Sequence, residues 1–298
     1  MADGGVEPSP GTRKPEAPVV VGYNGRKHSR DALLWAAEEA VRRDAPLLVV
    51  YAANYPGMTL GPGRGLLEPE PGALDAAQEV TTFGVAEALE AFPELRVAGA
   101  TEVTSPSEAL TEASADAQLL VIGTRGHGRV AGALLGSVAF AVAASARCPV
   151  VVVTGDPTNR SAGPEHRVVV GADGSAPAIA AVTFAAERAA MSSADLEIVV
   201  CTGDHPDFES AELRASAEQI ARAAAIRLRD GRPGLTVTTR VEDSPAERVL
   251  VDASADAGLV VVGTRGRGAF TGMLLGSVSH AVIHGAHCPV AVVGEDQR

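Results

Sequence analysis

Two tandem α/β domains, each a parallel sheet with helices on both faces, are what this sequence predicts, and three observations carry the prediction. The chain has 298 residues, enough for two domains of ordinary size. Its second half repeats its first. Within each half, short Val-rich runs alternate with longer amphipathic ones, which is the pattern of strand–helix–strand crossovers.

Hydrophobic residues make up 46% and charged residues 21% of the chain, a globular balance rather than a disordered one. With aromatics at only 3%, the cores must be built from Val, Leu, Ile and Ala. That suits buried parallel strands beneath Ala-rich helices.

The repeat is legible by eye. Val121–Val153 (VIGTRGHGRVAGALLGSVAFAVAASARCPVVVV) and Val261–Val293 (VVGTRGRGAFTGMLLGSVSHAVIHGAHCPVAVV) agree at most positions. Upstream, PVVVGYNGRKHSRDALLWAAEEA matches RVVVGADGSAPAIAAVTFAAERA. The expected divisions are a disordered Gly/Pro-rich tail over 1–17, a first domain over 18–154, a linker over 155–166 and a second domain over 167–298. Asn54–Gly72, rich in Gly and Pro, has no counterpart in the second half and is expected to be a mobile loop.

In the first half, strands are expected at Val19–Val21, Leu47–Tyr51, Leu95–Val103, Leu119–Ile122 and Val150–Val153. Helices should fill Ser29–Arg43, Leu74–Phe92, Ser107–Ala115 and Ser137–Ala146, with Ser29 as an N-cap. The second half repeats the strands near Val168–Val170, Leu196–Cys201, Leu235–Val241, Leu259–Val262 and Val290–Val293. Crossovers of this length are right-handed and give a parallel sheet.

The formal net charge of −12, with no cluster of Lys and Arg, argues against nucleic acid and anionic membrane as partners. A small anion is still a suitable ligand, because backbone N–H groups bind phosphate without net basic charge. No apolar run reaches the length of a membrane span, and the first residues lack a signal-peptide core. The three cysteines, Cys148, Cys201 and Cys288, form no CxxC pair, so a reducing cytoplasm is the expected compartment.

After the fourth strand of half one comes Gly123-Thr124-Arg125-Gly126, then nine residues, then Gly136-Ser137; half two repeats this as Gly263-Thr264-Arg265-Gly266 and Gly276-Ser277. Glycines let the main chain approach phosphate oxygens, and a helix opened by Gly-Ser offers free N–H groups and a positive dipole end. The bland alternative, glycines that only make tight turns, is weakened by the identical spacing in both halves. There is no Gly-Lys-[Ser/Thr], so this is not a Walker loop, and the glycines follow a late strand, unlike a dinucleotide fingerprint.

This Gly-x2-Gly-x9-Gly-[Ser/Thr] pattern after a Val-Ile-Gly or Val-Val-Gly strand resembles the ATP-binding signature of the universal stress protein family, and GADGS, GSVS and HCPVAVV agree with it. The resemblance covers both halves. It implies two tandem Rossmann-like domains, each with a five-stranded parallel sheet in the order 3-2-1-4-5. It also implies ATP as ligand, and because a divalent metal normally accompanies ATP, Mg²⁺ is the expected companion ion. Gly22 and Gly171, at the end of the first strand, would face the same ligand as the glycine loop. By the same resemblance, Asp173 contacts the nucleoside part of ATP, unless it serves only as a turn-former. Asn24 replaces it in half one and lacks the charge.

Arg125, His127, Arg265 and Arg267 either screen phosphate charge or stand as solvated loop residues. Gly128, Arg129 and Gly268, with Val138 and Val278 behind the serines, complete the expected binding set. His280, His284, His287 and Cys288 are close enough in sequence to suggest a metal. Half one has Phe140, Ala144, Arg147 and Cys148 at those positions, so packing at a helix end is preferred and no metal site is assigned.

No Ser-His-Asp or Cys-His set recurs in both halves, so any ATP hydrolysis should be slow. Three functions are therefore weighed: an ATP-binding stress-response regulator, a weak ATP-hydrolysing or adenylyl-transferring enzyme, and an interaction scaffold with a vestigial site in the first domain. The resemblance also implies pairing of the two halves through their last strands as an intramolecular pseudo-dimer, with a homodimer of chains as a further expectation.

Overall fold

The computed structural model describes residues 17–54, 72–124, 136–154, 162–203, 210–232, 234–266 and 275–297. Nearly all of the expected tail and of the expected Asn54–Gly72 loop, and the first part of the expected linker, lie outside the described residues. In half one the elements run β1 (Val19–Gly22), α1 (Lys27–Arg42), β2 (Leu47–Ala52), α2 (Ala73–Ala91), β3 (Val97–Glu102), α3 (Pro106–Ala113), β4 (Leu119–Gly123), α4 (Ser137–Ser145) and β5 (Val150–Val153). Half two repeats them as β6 (Val168–Gly171), α5 (Ala176–Ser192), β7 (Leu196–Cys201), α6 (Ser210–Gly231), β8 (Val237–Glu242), α7 (Ala246–Ala253), β9 (Leu259–Gly263), α8 (Ser277–Gly285) and β10 (Val290–Val293).

Each half forms a parallel sheet in the order 3-2-1-4-5, and the two join into one ten-stranded sheet, β3-β2-β1-β4-β5-β10-β9-β6-β7-β8. The central strands are buried on both faces because they alternate between two cores. Val19 and Val21 face the core under α1, α2, α5 and α6, and Val20 faces the one under α3, α4, α7 and α8. The strands at the two ends, β3 and β8, are largely exposed and carry Glu102 and Arg240, charges that discourage further edge pairing.

The first helix begins earlier than the sequence reading placed it. Ser29 is not the N-cap; Arg26 holds that position, and Ser29 lies one turn inside α1. Its hydroxyl oxygen accepts the Arg26 backbone N–H at 3.2 Å, which caps the helix from within and lets it start at Lys27. In half two the position of Arg26 is taken by Ser175, a conventional N-cap that accepts the Ala178 N–H at 3.4 Å. The third strand also starts later than expected in both halves, at Val97 and Val237 rather than Leu95 and Leu235. In half one Leu95 instead closes a turn, its N–H donating to the Phe92 carbonyl.

Among the described residues, the one antiparallel strand pairing is between β5 and β10, with Val150 opposite Val292, Val151 opposite Ala291 and Val152 opposite Val290. Val151 and Ala291 occupy the same position of the two repeats, so the pairing is centred on equivalent residues. Equivalent residues also meet above and below it. On one face Glu39 of α1 meets Arg188 of α5, with 2.8 Å between Oε2 and Nε and both residues about 1% exposed. On the other, Phe140 of α4 and His280 of α8 stack edge to face with centroids 5.6 Å apart.

Glu39 also accepts from Arg43 Nε at 2.8 Å, and Arg188 and Arg43 lie over the rings of Trp35 and Phe184. The Arg188–Glu39 approach is an ion pair without the alignment of a hydrogen bond, since neither Nε nor Oε2 has a hydrogen-bond partner among the described residues. Burial pushes the Arg188 guanidinium below its ordinary pKa, and Glu39 opposes that shift. Gln297 adds a polar stitch between the halves: its amide nitrogen donates to the Ala146 carbonyl at 2.6 Å and its amide oxygen accepts from Gly294.

A buried ion pair is more costly to break than to replace. Arg188→Met should therefore destabilise the protein by about 3 kcal/mol, because Glu39 is left partly uncompensated. Glu39→Met should cost more, since it strands both Arg43 and Arg188, and the double variant should recover part of the Glu39→Met loss. Urea midpoints of the three variants check this ordering; equal effects of all three would contradict it.

Candidate functional site

The strand order places the chain reversal between β1 and β4 in half one and between β6 and β9 in half two. In such sheets the crevice for a ligand opens at the C-terminal ends of those strands. Because β5 and β10 run antiparallel, the two crevices lie at opposite edges of the common sheet and face away from one another.

The turn after the first strand is the same in both halves. The Asn24 side-chain oxygen accepts the Arg26 N–H at 3.1 Å, and the Asp173 Oδ1 accepts the Ser175 N–H at 2.9 Å. The following glycines, Gly25 and Gly174, take φ of 73° and 79°, a left-handed conformation that favours glycine. Both residues thus form the turn. In half two a Cβ on Gly266 would lie 2.6 Å from Asp173 Oδ2, so the carboxylate sits against the start of the glycine loop. The structure brings together these two widely separated parts of the sequence motif.

The motif glycines also have internal reasons to be small. A Cβ at Gly123 would lie 2.5 Å from the His28 carbonyl oxygen, and one at Gly263 would lie 3.0 Å from Pro177. The end of the fourth strand is therefore pressed against the first turn of α1 or α5. Gly22 and Gly171 leave room for Leu110 and Leu250 in the same manner.

The loop that follows is held at its base. Thr124 N–H donates to Val153 O at 3.1 Å, and Gly136 N–H returns to Thr124 O at 3.0 Å; in half two Thr264 donates to Val293 O at 2.8 Å and Gly276 to Thr264 O at 2.7 Å. Arg125, Gly126, His127, Gly128 and Arg129, with Arg267 and Gly268, lie outside the described residues. Arg265 and Gly266 are described and exposed.

Gly136 and Gly276 are the N-caps of α4 and α8, as the sequence predicts. A glycine cap has no side chain to bond the first-turn N–H groups, and neither α4 nor α8 has a side-chain cap hydrogen bond among the described residues. Ser137 and Ser277 are exposed, and the two valines are half-buried. A residue that sequence reasoning missed is Ser279, buried one turn into α8. Its hydroxyl donates to Gly263 O at 2.6 Å and ties the helix start to the end of β9. Half one has Ala139 there, so the GSVS against GSVA difference was the available signal.

The other sequence candidates separate from this site. His280 and His284 have ring centroids 4.5 Å apart on α8, and burial with the neighbouring His284 lowers the His280 pKa. Among the described residues no three His, Cys, Asp or Glu side chains are gathered as a metal set. Burial pushes the Cys148 and Cys288 thiols up to about 12, which makes them packing residues rather than nucleophiles. No helix among the described residues is long and apolar enough to cross a membrane.

A duplicated, doubly wound α/β protein with a glycine loop clamped at its base in each half is the class that fold and site define. The universal stress protein family model matches residues 17–154 and again 165–294, and the chain belongs to that family. It is 35% identical over 289 residues to a universal stress protein of Mycobacterium tuberculosis, covering 92% of this chain and 96% of the relative. A universal stress protein of Mycolicibacterium smegmatis is likewise 35% identical, with 92% and 96% covered. The fold is similar to the crystal structure of a universal stress protein from Archaeoglobus fulgidus, with a TM-score of 0.68 at 21% identity over 93% of this chain and 96% of that one.

The packing of the motif glycines is directly testable. Gly123→Ala forces a methyl against backbone and should cost about 2 kcal/mol. Gly136→Ala, whose Cβ would meet Thr124 O at 3.2 Å, should cost less. Thermal melting of the two variants in the absence of nucleotide checks the order; a larger loss for Gly136→Ala would contradict it.

Proposed function

We propose that this chain is an ATP-binding stress-response regulator that holds up to one nucleotide in each half and releases it without rapid turnover. The observation that carries this reading is the convergence, in both crevices, of a loop clamped at its base with a helix start whose cap leaves the first-turn N–H groups to an outside acceptor. The phosphates would lie against Gly136-Ser137-Val138 and Gly276-Ser277-Val278, and the nucleoside against the Asn24 and Asp173 turns. Mg²⁺ would accompany the nucleotide, bound chiefly by phosphates and water. Half two presents the Asp173 carboxylate on the nucleoside side, whereas the matching position in half one is an amide.

The proposed units are domains over 18–154 and 167–298, joined by a linker over 155–166 and preceded by a tail over 1–17. The β5–β10 pairing centred on Val151 and Ala291 supports reading them as an intramolecular pseudo-dimer. The cytoplasm is the proposed compartment, in keeping with three free cysteines. An ATP-hydrolysing or adenylyl-transferring role would require a general base at the crevice. Asp173 Oδ1 accepts the Ser175 N–H within its turn, and no step is assigned to it.

Mass spectrometry of the native purified protein, before and after incubation with Mg·ATP, tests the proposal. Retained, intact ATP is the expected result. Rapid release of ADP would make it an enzyme, and absence of nucleotide from both halves would leave a scaffold. Gly276→Val, placing a branched side chain beside Thr264 O, should remove one equivalent of ATP; unchanged stoichiometry would overturn the phosphate assignment in half two.

A further inference from the structure

The two crevices differ around the first-strand turn, although both halves build that turn in the same way. Half two has Asp173 followed by Ser175, Ala176, Pro177 and, one turn on, Ile179. Half one has Asn24 followed by Arg26, Lys27, His28 and Arg30. One carboxylate has become an amide, and every one of those uncharged residues has become basic.

The hydrogen bonds sharpen the contrast. Asn24 Oδ1 accepts from the Arg26 N–H at 3.1 Å and from the Ser29 hydroxyl at 2.8 Å, so its oxygen is spent within the turn. What Asn24 has left for a ligand is its NH₂ group, a donor. An ionised Asp at the same place can only accept. Arg30 is committed to Glu87 at 2.8 Å, while Arg26 and Lys27 are exposed at the helix start. His28 belongs to the same turn. Its carbonyl lies against Gly123, and its buried Nδ1 has no hydrogen-bond partner among the described residues.

Free ribose hydroxyls donate well to a carboxylate. A phosphate on the ribose is repelled by a carboxylate and is held by amide N–H, guanidinium and ammonium groups. The same exchange, an acidic residue for a nearby Arg, separates recognition of a ribose hydroxyl from that of a ribose phosphate in dinucleotide-binding α/β folds. We infer that half one takes an adenine nucleotide phosphorylated on its ribose, held by Asn24, Arg26 and Lys27, while half two takes one with free ribose hydroxyls beside Asp173. This rests on the nucleotide reading above, and specifically on the first-strand turn facing the ribose.

Titration calorimetry on the full chain tests it, with adenosine 2′,5′-bisphosphate, adenosine 3′,5′-bisphosphate and ATP as separate probes. At least one bisphosphate isomer should bind with one equivalent per chain. The triple variant N24D/R26S/K27A, which installs half two's residues, should weaken that binding by at least about tenfold. ATP binding in half two should persist and report that the fold is intact. The reciprocal variant D173N/S175R/A176K/A178S should bring a second equivalent of bisphosphate; its A178S change supplies the inner cap that Ser29 gives half one. No bisphosphate binding, two equivalents in the native chain, or an unchanged affinity in the triple variant would overturn the inference. If ATP binds and the bisphosphates show no selectivity, only this inference falls; if the native chain binds none of the three probes, the nucleotide reading falls with it.

Discussion

Everything in this molecule is arranged around the need to cover the fifth strand. In each half the last strand is Val-rich, buried on both faces and lacking a neighbour on its outer edge within its own half. Left open, that edge would be a row of unpaired N–H and C=O groups beside apolar side chains. The antiparallel pairing of β5 with β10 satisfies both edges at once, and it fixes the rest of the geometry. It merges the sheets, brings α1 and α5 together on one face and α4 and α8 on the other, and turns the crevices to opposite ends.

Joining the halves in one chain also removes a constraint that a symmetric dimer cannot escape. At a twofold axis formed by identical subunits, a residue meets its own copy, so a charge there meets a like charge. Here the two residues at one such position are Glu39 and Arg188, opposite in charge and buried together. At the other they are Phe140 and His280, whose rings pack edge to face. Within one chain the two members of each pair are different residues and complement one another. The first-strand turn has diverged in the same way, Asn24 with its basic neighbours in one half against Asp173 in the other.

Much of this was legible in the sequence because it rests on local patterns. Val-rich runs marked nearly every strand to within two residues, and the Gly-Ser pairs marked the starts of α4 and α8. The strand order and the pairing of last strands were legible only through the family resemblance, since composition and periodicity carry no information on which strands are neighbours. The N-cap at Arg26 was missed because Ser29 is a better cap by type, and its action from inside the helix depends on backbone geometry. Glu39 and Arg188 were missed for a different reason. Charged residues within otherwise apolar helix faces look like surface positions until the partner helix is in place. The clue was that they share one repeat position with opposite sign.

The same two helices connect the axis to the crevices. The first turn of α1 presses its His28 carbonyl against Gly123, and its last turns, with Arg43 just beyond, carry Glu39 to the junction between halves. α5 runs likewise from Pro177 against Gly263 to Arg188. A shift of either helix along its axis would separate buried opposite charges at one end and force backbone into backbone at the other. The strand–helix side of each crevice is thus rigidly preset. The base of the glycine loop is tied to the last strand, by Thr124 to Val153 in half one and Thr264 to Val293 in half two, and is closed by Gly136 and Gly276. A crevice with a preset wall selects its ligand by the chemistry that wall displays, because the wall cannot rearrange to suit a poor match. The first-strand turn belongs to that wall, and there the two halves of this protein display different chemistry.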